Sequence, residues 1–86
     1  MNIKFTPEAW ADYLYWQEKD KKLLLRVNDL IRDAVRSPFS GLGKPEALRY
    51  ELRGFWSRRI NDEHRLVYRV QENDVEIISV RYHYAK

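Results

Sequence analysis

The spacing of apolar residues changes once along this chain, from a helical period to alternation, and this change constrains its fold more than any other feature. Residues 21–36 carry one apolar stripe at helical spacing: Leu23, Leu24, Val27, Leu30, Ile31, Ala34 and Val35. From residue 48 onward apolar and polar residues alternate, as in strands. Between them, residues 37–47 hold two prolines and two glycines, which indicate a loop. Helices followed by strands are typical of an α+β domain.

A second helix is predicted before this stripe, at residues 7–20. Thr6 is suited to cap it, with Pro7 at the first helical position and Glu8 in the first turn. Asp20 is suited to cap the helix at 21–36. Two consecutive helices, each with one apolar face, predict an antiparallel helical hairpin.

Five strands are predicted, at residues 2–5, 48–53, 55–60, 64–71 and 75–82. The short turns "NDE" and "QEND" make the strands that they join antiparallel. We therefore expect a single α+β domain over residues 1–86, with both helices packed on one face of a small, mostly antiparallel sheet.

Composition narrows the class of protein. The chain has 86 residues, no cysteine, and 3 Trp, 6 Tyr and 3 Phe to build its core, so neither disulfides nor thiolate zinc sites are expected. Apolar runs are too short to span a membrane, and the start does not resemble a signal peptide. These features predict a soluble cytoplasmic protein.

Arginines are concentrated in the strand region, where seven of the ten follow residue 48. Strand alternation predicts one cationic face: Arg49, Arg53, Arg59, Arg65, Arg69, Arg81 and His83. Val75 and Ile77 fall on that face by the same alternation, whereas Arg58 falls on the apolar face. Only Glu51 offsets the charge within these strands, so anion binding is favoured over a merely solvated face or burial against another protein.

A cationic face beside a carboxylate and an imidazole has the groups needed for metal-free RNA cleavage. A base must take the proton of the 2′-hydroxyl, an acid must protonate the leaving 5′-oxygen, and fixed cations must stabilise the added charge. Glu46, in the loop, and His83 are the candidates for base and acid. The other histidine, His64, is expected to be structural, and two histidines without metal-ligand spacing predict no metal or other cofactor.

The order of several motifs resembles the YoeB branch of RelE-type bacterial toxins. These motifs are "ADYLYWQEKDKK", "SPFSGLGKPEALR", "GFWSRRINDEHRLVY" and the terminal "RYHY", which together cover nearly the whole chain. The resemblance implies a toxin of a type II toxin–antitoxin pair that binds the 70S ribosome and cuts mRNA in its A site. It also implies a cognate antitoxin of the YefM/Phd kind and allows a homodimer.

The resemblance further implies a role for each matching residue. Glu46 corresponds to the general base, His83 to the general acid, and Arg65 to the arginine that stabilises the phosphate. Arg59 corresponds to a supporting phosphate contact, and Tyr84 to the aromatic that positions substrate. Lys44 and Arg49 are expected to bind RNA, although Arg49 replaces the lysine familiar in this branch, and Ala85 and Lys86 extend the chain beyond the usual terminal tyrosine.

A different function on the same fold stays open at this point. Some toxins of the superfamily bind DNA gyrase and are not nucleases, and fold alone does not exclude this. The combination of Glu46, Arg65 and His83 favours the nuclease. An antitoxin segment with acidic and apolar residues is expected to cover the arginine face or displace the C-terminal residues.

Overall fold

The computed structural model of this protein describes residues 1–82, which form two helices and five strands. In chain order the elements are β1 (Asn2–Phe5), α1 (Pro7–Lys19), α2 (Lys21–Arg36), β2 (Glu46–Ala47), a 3₁₀ turn (Tyr50–Leu52), β3 (Trp56–Arg59), β4 (Arg65–Gln71) and β5 (Asp74–Ser79). Both predicted helices are confirmed, as are the predicted strands at 2–5, 55–60 and 64–71 to within one residue at each end. The strand predicted at 75–82 ends at Ser79, and the strand predicted at 48–53 is wrong. No helix within the described part of the chain is long and apolar enough to cross a membrane.

The strands form one open sheet in the order β1-β5-β4-β3-β2. Strand β1 runs parallel to β5, and every other neighbouring pair is antiparallel. The chain leaves β1 at one edge, passes through both helices and returns to the sheet at β2 on the opposite edge. This arrangement confirms the predicted mostly antiparallel α+β architecture.

Side chains at the two predicted caps fix where the helices begin. The Thr6 hydroxyl accepts a hydrogen bond from the backbone N–H of Ala9 at 3.1 Å. The same hydroxyl donates to the Ile78 carbonyl at 3.2 Å, which ties α1 to β5. Asp20 Oδ1 accepts from the Leu23 N–H at 3.0 Å and starts α2 directly after α1 ends.

The core lies between the helices and one face of the sheet. Its fully buried members come from both layers: Val27 and Leu30 from α2, Leu66 and Tyr68 from β4, and Val75 and Ile77 from β5. Trp16 joins α1 to the end of the sheet, because its indole N–H donates to the Val80 carbonyl at 2.8 Å. The helices therefore cover one face of the sheet.

The predicted strand at 48–53 is wrong. Pairing with β3 is confined to Glu46 and Ala47, and Tyr50 then adopts φ +59° at the start of the 3₁₀ turn. A non-glycine residue with positive φ cannot continue a strand, so alternation fails from this point. Glu46 is expected in a loop but belongs to the edge strand β2. Arg49 and Arg53 flank the 3₁₀ turn.

The predicted facing of β5 is also wrong, because the register between β4 and β5 shifts. Tyr68 pairs with Ile77, but the preceding residue Val67 pairs with Ser79, which leaves Ile78 as an extra residue. Such a bulge reverses which residues face the helices. Val75 and Ile77 therefore lie in the core, and not on the arginine face.

Candidate functional site

The sheet face opposite the helices collects charged side chains from three adjacent strands. Cross-strand partners share a face, and the row Glu46, Ser57, Val67 and Ser79 crosses the sheet from β2 to β5. Arg59 and Arg65, which pair with each other, lie two residues further along β3 and β4 on the same face. We call this surface the open face, defined by Glu46, Ser57, Arg59, Arg65, Val67 and Arg69. Strand spacing puts the Cα atoms of Glu46 and Arg65 about 12 Å apart, within reach of one phosphodiester by two long side chains.

Arg65 is held in place by the turn that precedes it. Its Nη1 donates to the carbonyl of Asn61 at 2.6 Å and to that of His64 at 3.0 Å. The turn is itself fixed by Asn61, whose Oδ1 accepts from the backbone N–H groups of Glu63 and His64 at 2.9 and 2.8 Å. The acceptors of Arg65 among the described residues are carbonyl oxygens, so no carboxylate in that part of the chain neutralises the charge of the guanidinium at the open face.

Three charged side chains at or beside the open face form no ion pair within the described part of the chain. Within residues 1–82, the side chains of Glu46, Arg59 and Lys44 make no salt bridge or side-chain hydrogen bond, and all three are exposed. Lys44 has φ +53° and lies two residues before Glu46. A carboxylate and two cations are thus exposed with no partner from the described residues, as a binding or proton-transfer site requires.

Arg58, the arginine that strand alternation predicts on the apolar face, binds the loop that leads to Glu46. Arg58 is fully buried, and its five N–H groups all have acceptors. These acceptors are Tyr68 Oη, Asp33 Oδ2 and the carbonyls of Leu42, Ser37 and Ser40, at 2.6 to 3.0 Å. A guanidinium so fully satisfied fixes the loop over residues 37–42 to α2 and the sheet.

Two ionisable groups in this network have shifted pKa values. The backbone N–H of Leu42, then Arg58 and Arg36, donate hydrogen bonds to Asp33 and lower its pKa from 3.8 to about 2. Burial raises the pKa of Tyr68, and the hydrogen bond from Arg58 partly offsets this effect. Tyr68 also donates to the Pro38 carbonyl at 2.6 Å. Asp33 therefore stays ionised and Tyr68 stays neutral over the physiological pH range.

Gly43 makes the final connection between this loop and the open face. Its carbonyl accepts from the Arg59 N–H at 2.7 Å, and its φ is +79°. A Cβ atom at this position would lie 2.8 Å from Leu30 Cδ2 and 3.1 Å from Arg58 Cβ. Only glycine fits this close approach, which sets the direction of the chain into Lys44 and Glu46.

Several residues expected at the cationic face are placed otherwise. Arg69 lies on the open face, but its Nε donates to Glu76 Oε1 at 2.7 Å, so a carboxylate on β5 neutralises it, whereas Glu51, the carboxylate expected on this face, lies in the 3₁₀ turn. Arg81 leaves the sheet, and its guanidinium stacks 3.6 Å from the centroid of the Tyr15 ring. Arg49 and Arg53 are exposed beside the 3₁₀ turn and not on a strand. Arg59 and Arg65 are the arginines of the open face that form no ion pair with a residue in the described range 1–82.

His83 and Tyr84 lie outside the described residues, so their predicted roles stay predictions. The described chain ends at Tyr82, whose carbonyl accepts from the Arg65 N–H at 3.0 Å. The backbone therefore brings the residue before His83 against the start of β4, next to Arg65.

Sequence reasoning missed the residues that support the site. It treats Asn61 only as part of a turn, although an Asn followed by charged residues between two strands is a signal for a side-chain-stabilised turn. The apolar stripe of α2 leaves Asp33 among the polar positions, which indicates a solvated side chain, whereas this residue is buried beside Arg58. Among residues 1–82 no group of three or more His, Asp or Glu side chains is arranged to hold a metal ion.

Comparison with known proteins identifies relatives along the whole chain. The family profile described as "YoeB-like toxin of bacterial type II toxin-antitoxin system" matches residues 5–84. Toxin YoeB of Synechocystis is 56% identical over 86 residues and covers all of both chains. Toxin YoeB of Escherichia coli K12 is 54% identical over 84 residues, which is 98% of this chain and 100% of that protein.

Solved structures agree with these sequence matches. The YoeB/ParE toxin from Agrobacterium tumefaciens superposes with a TM-score of 0.95 at 49% identity, covering 98% of this chain and 100% of that one. YoeB in a heterotetrameric YoeB–YefM toxin–antitoxin complex from Staphylococcus aureus superposes with a TM-score of 0.89 at 48% identity. The YoeB dimer from the same organism superposes with a TM-score of 0.90 at 48% identity. Both alignments cover 98% of this chain and 98% of the other. The α+β domain with its arginine-bearing open face thus belongs to the YoeB-like toxin family of bacterial type II toxin–antitoxin systems.

Proposed function

We propose that this toxin is a metal-independent endoribonuclease that cuts mRNA in the A site of the 70S ribosome and so inhibits translation. The observation that carries the proposal is the shared face of Glu46, Arg59 and Arg65, none of which pairs with a charged side chain within residues 1–82. A surface built only for solubility would not need an arginine at paired positions on each of two neighbouring strands, because like charges opposite one another are unfavourable.

The proposed reaction is a transfer of the phosphate from the 5′-oxygen to the neighbouring 2′-oxygen. The Glu46 carboxylate accepts the 2′-hydroxyl proton while the 2′-oxygen forms a bond to phosphorus. The bond from phosphorus to the 5′-oxygen breaks, and His83 gives that oxygen a proton. The products are a 2′,3′-cyclic phosphate and a 5′-hydroxyl end.

The arginines supply the electrostatic part of the mechanism. Arg65, held by turn carbonyls, stabilises the negative charge that accumulates on the non-bridging oxygens, and Arg59 supports it from β3. Tyr84 positions the substrate. Lys44 and Arg49, both exposed on the segments that flank Glu46, bind the RNA backbone on either side of the cleaved phosphate.

The positive charge of the toxin surface also supports the proposed protein partner, an antitoxin. The chain carries a formal net charge of +3, and Arg49, Arg53 and Arg59 are exposed. A cognate antitoxin of the YefM kind, with acidic and apolar residues in its binding segment, would cover this charge and displace His83 and Tyr84. The YoeB–YefM complex and the YoeB dimer among similar structures support an antitoxin partner and a homodimer, and the ribosomal substrate implies the bacterial cytoplasm.

Mapping of mRNA 5′ ends in a translating extract tests the proposal. Wild-type protein should create new ends only on messages that ribosomes engage, and Glu46→Gln and His83→Ala should abolish them. Glu51→Gln removes an exposed carboxylate from the 3₁₀ turn, off the open face, and should cleave like wild type. Arrest of protein synthesis without new ends would refute the nuclease, and a gyrase supercoiling assay would then test the non-nuclease inhibitor.

A further inference from the structure

Tyr82, the residue that directly precedes the proposed general acid, has a strained backbone conformation. Its φ is +62°, in the left-handed region that side chains other than glycine rarely adopt. The residue is 54% exposed, so burial of its ring does not account for the conformation. A strained residue at the entrance to a proposed catalytic segment must be held by specific contacts.

Two hydrogen bonds from consecutive residues hold the Tyr82 backbone. The Tyr82 N–H donates to His64 Nδ1 at 2.7 Å, and the Tyr82 carbonyl accepts from the Arg65 N–H at 3.0 Å. Because the backbone N–H is the donor, Nδ1 carries no proton, and the neutral imidazole has its proton on Nε2. His64 thus offers a single acceptor whose direction its ring determines.

The His64 ring is buried, and hydrogen bonds of its backbone hold the residue in the turn. It is 6% exposed and packs edge-on against the Trp16 indole, with ring centroids 4.8 Å apart. Its backbone N–H donates to Asn61 Oδ1 at 2.8 Å, and its carbonyl accepts from the Ile60 N–H at 3.0 Å. The Glu63 carboxylate lies 3.6 Å from Nε2 and is largely exposed, which leaves Nδ1 directed at Tyr82.

We propose that His64 is a positioning residue for the reaction: its unprotonated Nδ1 holds Tyr82 in the left-handed conformation, and so fixes the last described residue before the proposed general acid. This inference rests on the proposed function, in which His83 is the general acid. The adjacent residue Arg65 binds the other side of Tyr82 and also supplies the proposed phosphate contact. Two consecutive residues, His64 and Arg65, therefore hold Tyr82, and the second of them is also the proposed phosphate contact.

A purely structural role for His64, as a packing partner of Trp16, is the competing explanation. Two variants separate the explanations because both lose the ring and its contact with Trp16. In His64→Asn the amide oxygen takes the place of Nδ1 and keeps the acceptor for Tyr82. In His64→Gln the amide reaches the place of Nε2, and the acceptor is lost.

The readouts are the single-turnover rate of mRNA cleavage on programmed ribosomes, the Kd for the ribosome, and hydrogen exchange at the Tyr82 amide. His64→Asn should cleave near the wild-type rate, whereas His64→Gln should be slower by about 10²-fold, since a displacement of about 1 Å has that effect on a catalytic group. Both should bind ribosomes with wild-type Kd, and the Tyr82 amide should lose protection only in His64→Gln. Equal cleavage rates in the two folded variants would overturn the proposal.

Two controls keep the outcomes distinct. Wild-type cleavage by His83→Ala would refute the proposed function, whereas inactive His83→Ala together with equal rates for the two His64 variants would refute this inference alone. If neither His64 variant folds, the wild-type protein still provides a test. A long-range ¹H–¹⁵N spectrum of the imidazole should show the proton on Nε2, and a proton on Nδ1 would overturn the proposal.

Discussion

Arg58 Nη1 lies 2.7 Å from Asp33 Oδ2, and this buried pair joins β3 to α2 beneath the loop that leads to Glu46. Both residues also bind that loop, Arg58 through the carbonyls of Ser37, Ser40 and Leu42 and Asp33 through the Leu42 N–H. The pair therefore supports the open face. Burial of its polar atoms is tolerated because each of them has a hydrogen-bond partner.

Replacement of Arg58 by lysine should destabilise the fold strongly. A lysine ammonium has three donors where the guanidinium has five, so at least two buried acceptors lose their partners. We expect Arg58→Lys to lower the free energy of unfolding by about 3 kcal/mol. Urea denaturation measures this, with Arg59→Lys on the same strand as the control. Arg59 is exposed, so its replacement should change stability by less than about 0.5 kcal/mol, and equal losses would contradict the role of the network.

Asp33→Asn should change how stability depends on pH. The folded-state pKa of Asp33 is about 2, below its ordinary value of 3.8, so the ionised carboxyl stabilises the fold above that value. This contribution is lost as the pH falls from 3.8 toward 2. We expect the Asp33→Asn variant to be less stable than wild type by a constant amount near neutral pH, and the gap to narrow in that acidic window. Thermal unfolding followed across the pH range measures the gap, and parallel curves throughout the acidic window would be contrary to the prediction.

Gly43→Ala should impair both folding and cleavage. The added methyl group would meet Leu30 and Arg58 and would place alanine at φ +79°, which displaces the segment that carries Lys44 and Glu46. Gly54→Ala is a matched control, because Gly54 has φ +98° but no atom within 4 Å of the added Cβ. Both variants bear the backbone cost of about 1 kcal/mol, and only Gly43→Ala adds the clash. Equal melting temperatures and cleavage rates for the two would argue against the close approach at Gly43.

Arg65 and Arg69 allow a comparison of two arginines on the same face of one strand. Arg65 is held by neutral carbonyls, whereas Arg69 is neutralised by Glu76. Arg65→Gln should reduce the single-turnover cleavage rate by about 10²- to 10³-fold with little change in stability, since it removes transition-state charge stabilisation. Arg69→Gln should cleave within about 10-fold of wild type, because the lost ion pair is partly exposed. Similar losses of rate in both variants would mean that the overall charge of the face, and not the placement of Arg65, matters.

Local sequence signals predicted the elements well where local chemistry determines them. The Thr6 and Asp20 caps and the apolar stripe of α2 depend on neighbours within a few residues, and the structure confirms them. Alternation also identified Arg59 and Arg65 as members of one face, because β3 and β4 pair without interruption.

The errors occur where distant contacts decide the structure. The extra residue Ile78 changes which side chains of β5 face the helices, and the positive φ of Tyr50 prevents a strand at 48–53. Neither feature is visible in the alternation of apolar and polar residues. The burial of Asp33 depends on Arg58, 25 residues away, so a helix pattern read alone assigns it to solvent. The support of the site by Asn61 and His64 likewise becomes visible only when the turn and Tyr82 are seen together.

The most direct test of the central claim removes one oxygen atom, the 2′-oxygen, from the substrate. Ribosomes are programmed with an mRNA that carries one 2′-deoxynucleotide on the 5′ side of the mapped cleavage position, and with the matching all-ribose mRNA. If Glu46 activates the 2′-hydroxyl as proposed, wild-type toxin should cut the all-ribose message to a 2′,3′-cyclic phosphate and a 5′-hydroxyl end, and should leave the deoxy-substituted message intact at that position. Cleavage of the deoxy-substituted message at an undiminished rate would show that the 2′-oxygen is not the nucleophile and would contradict the account.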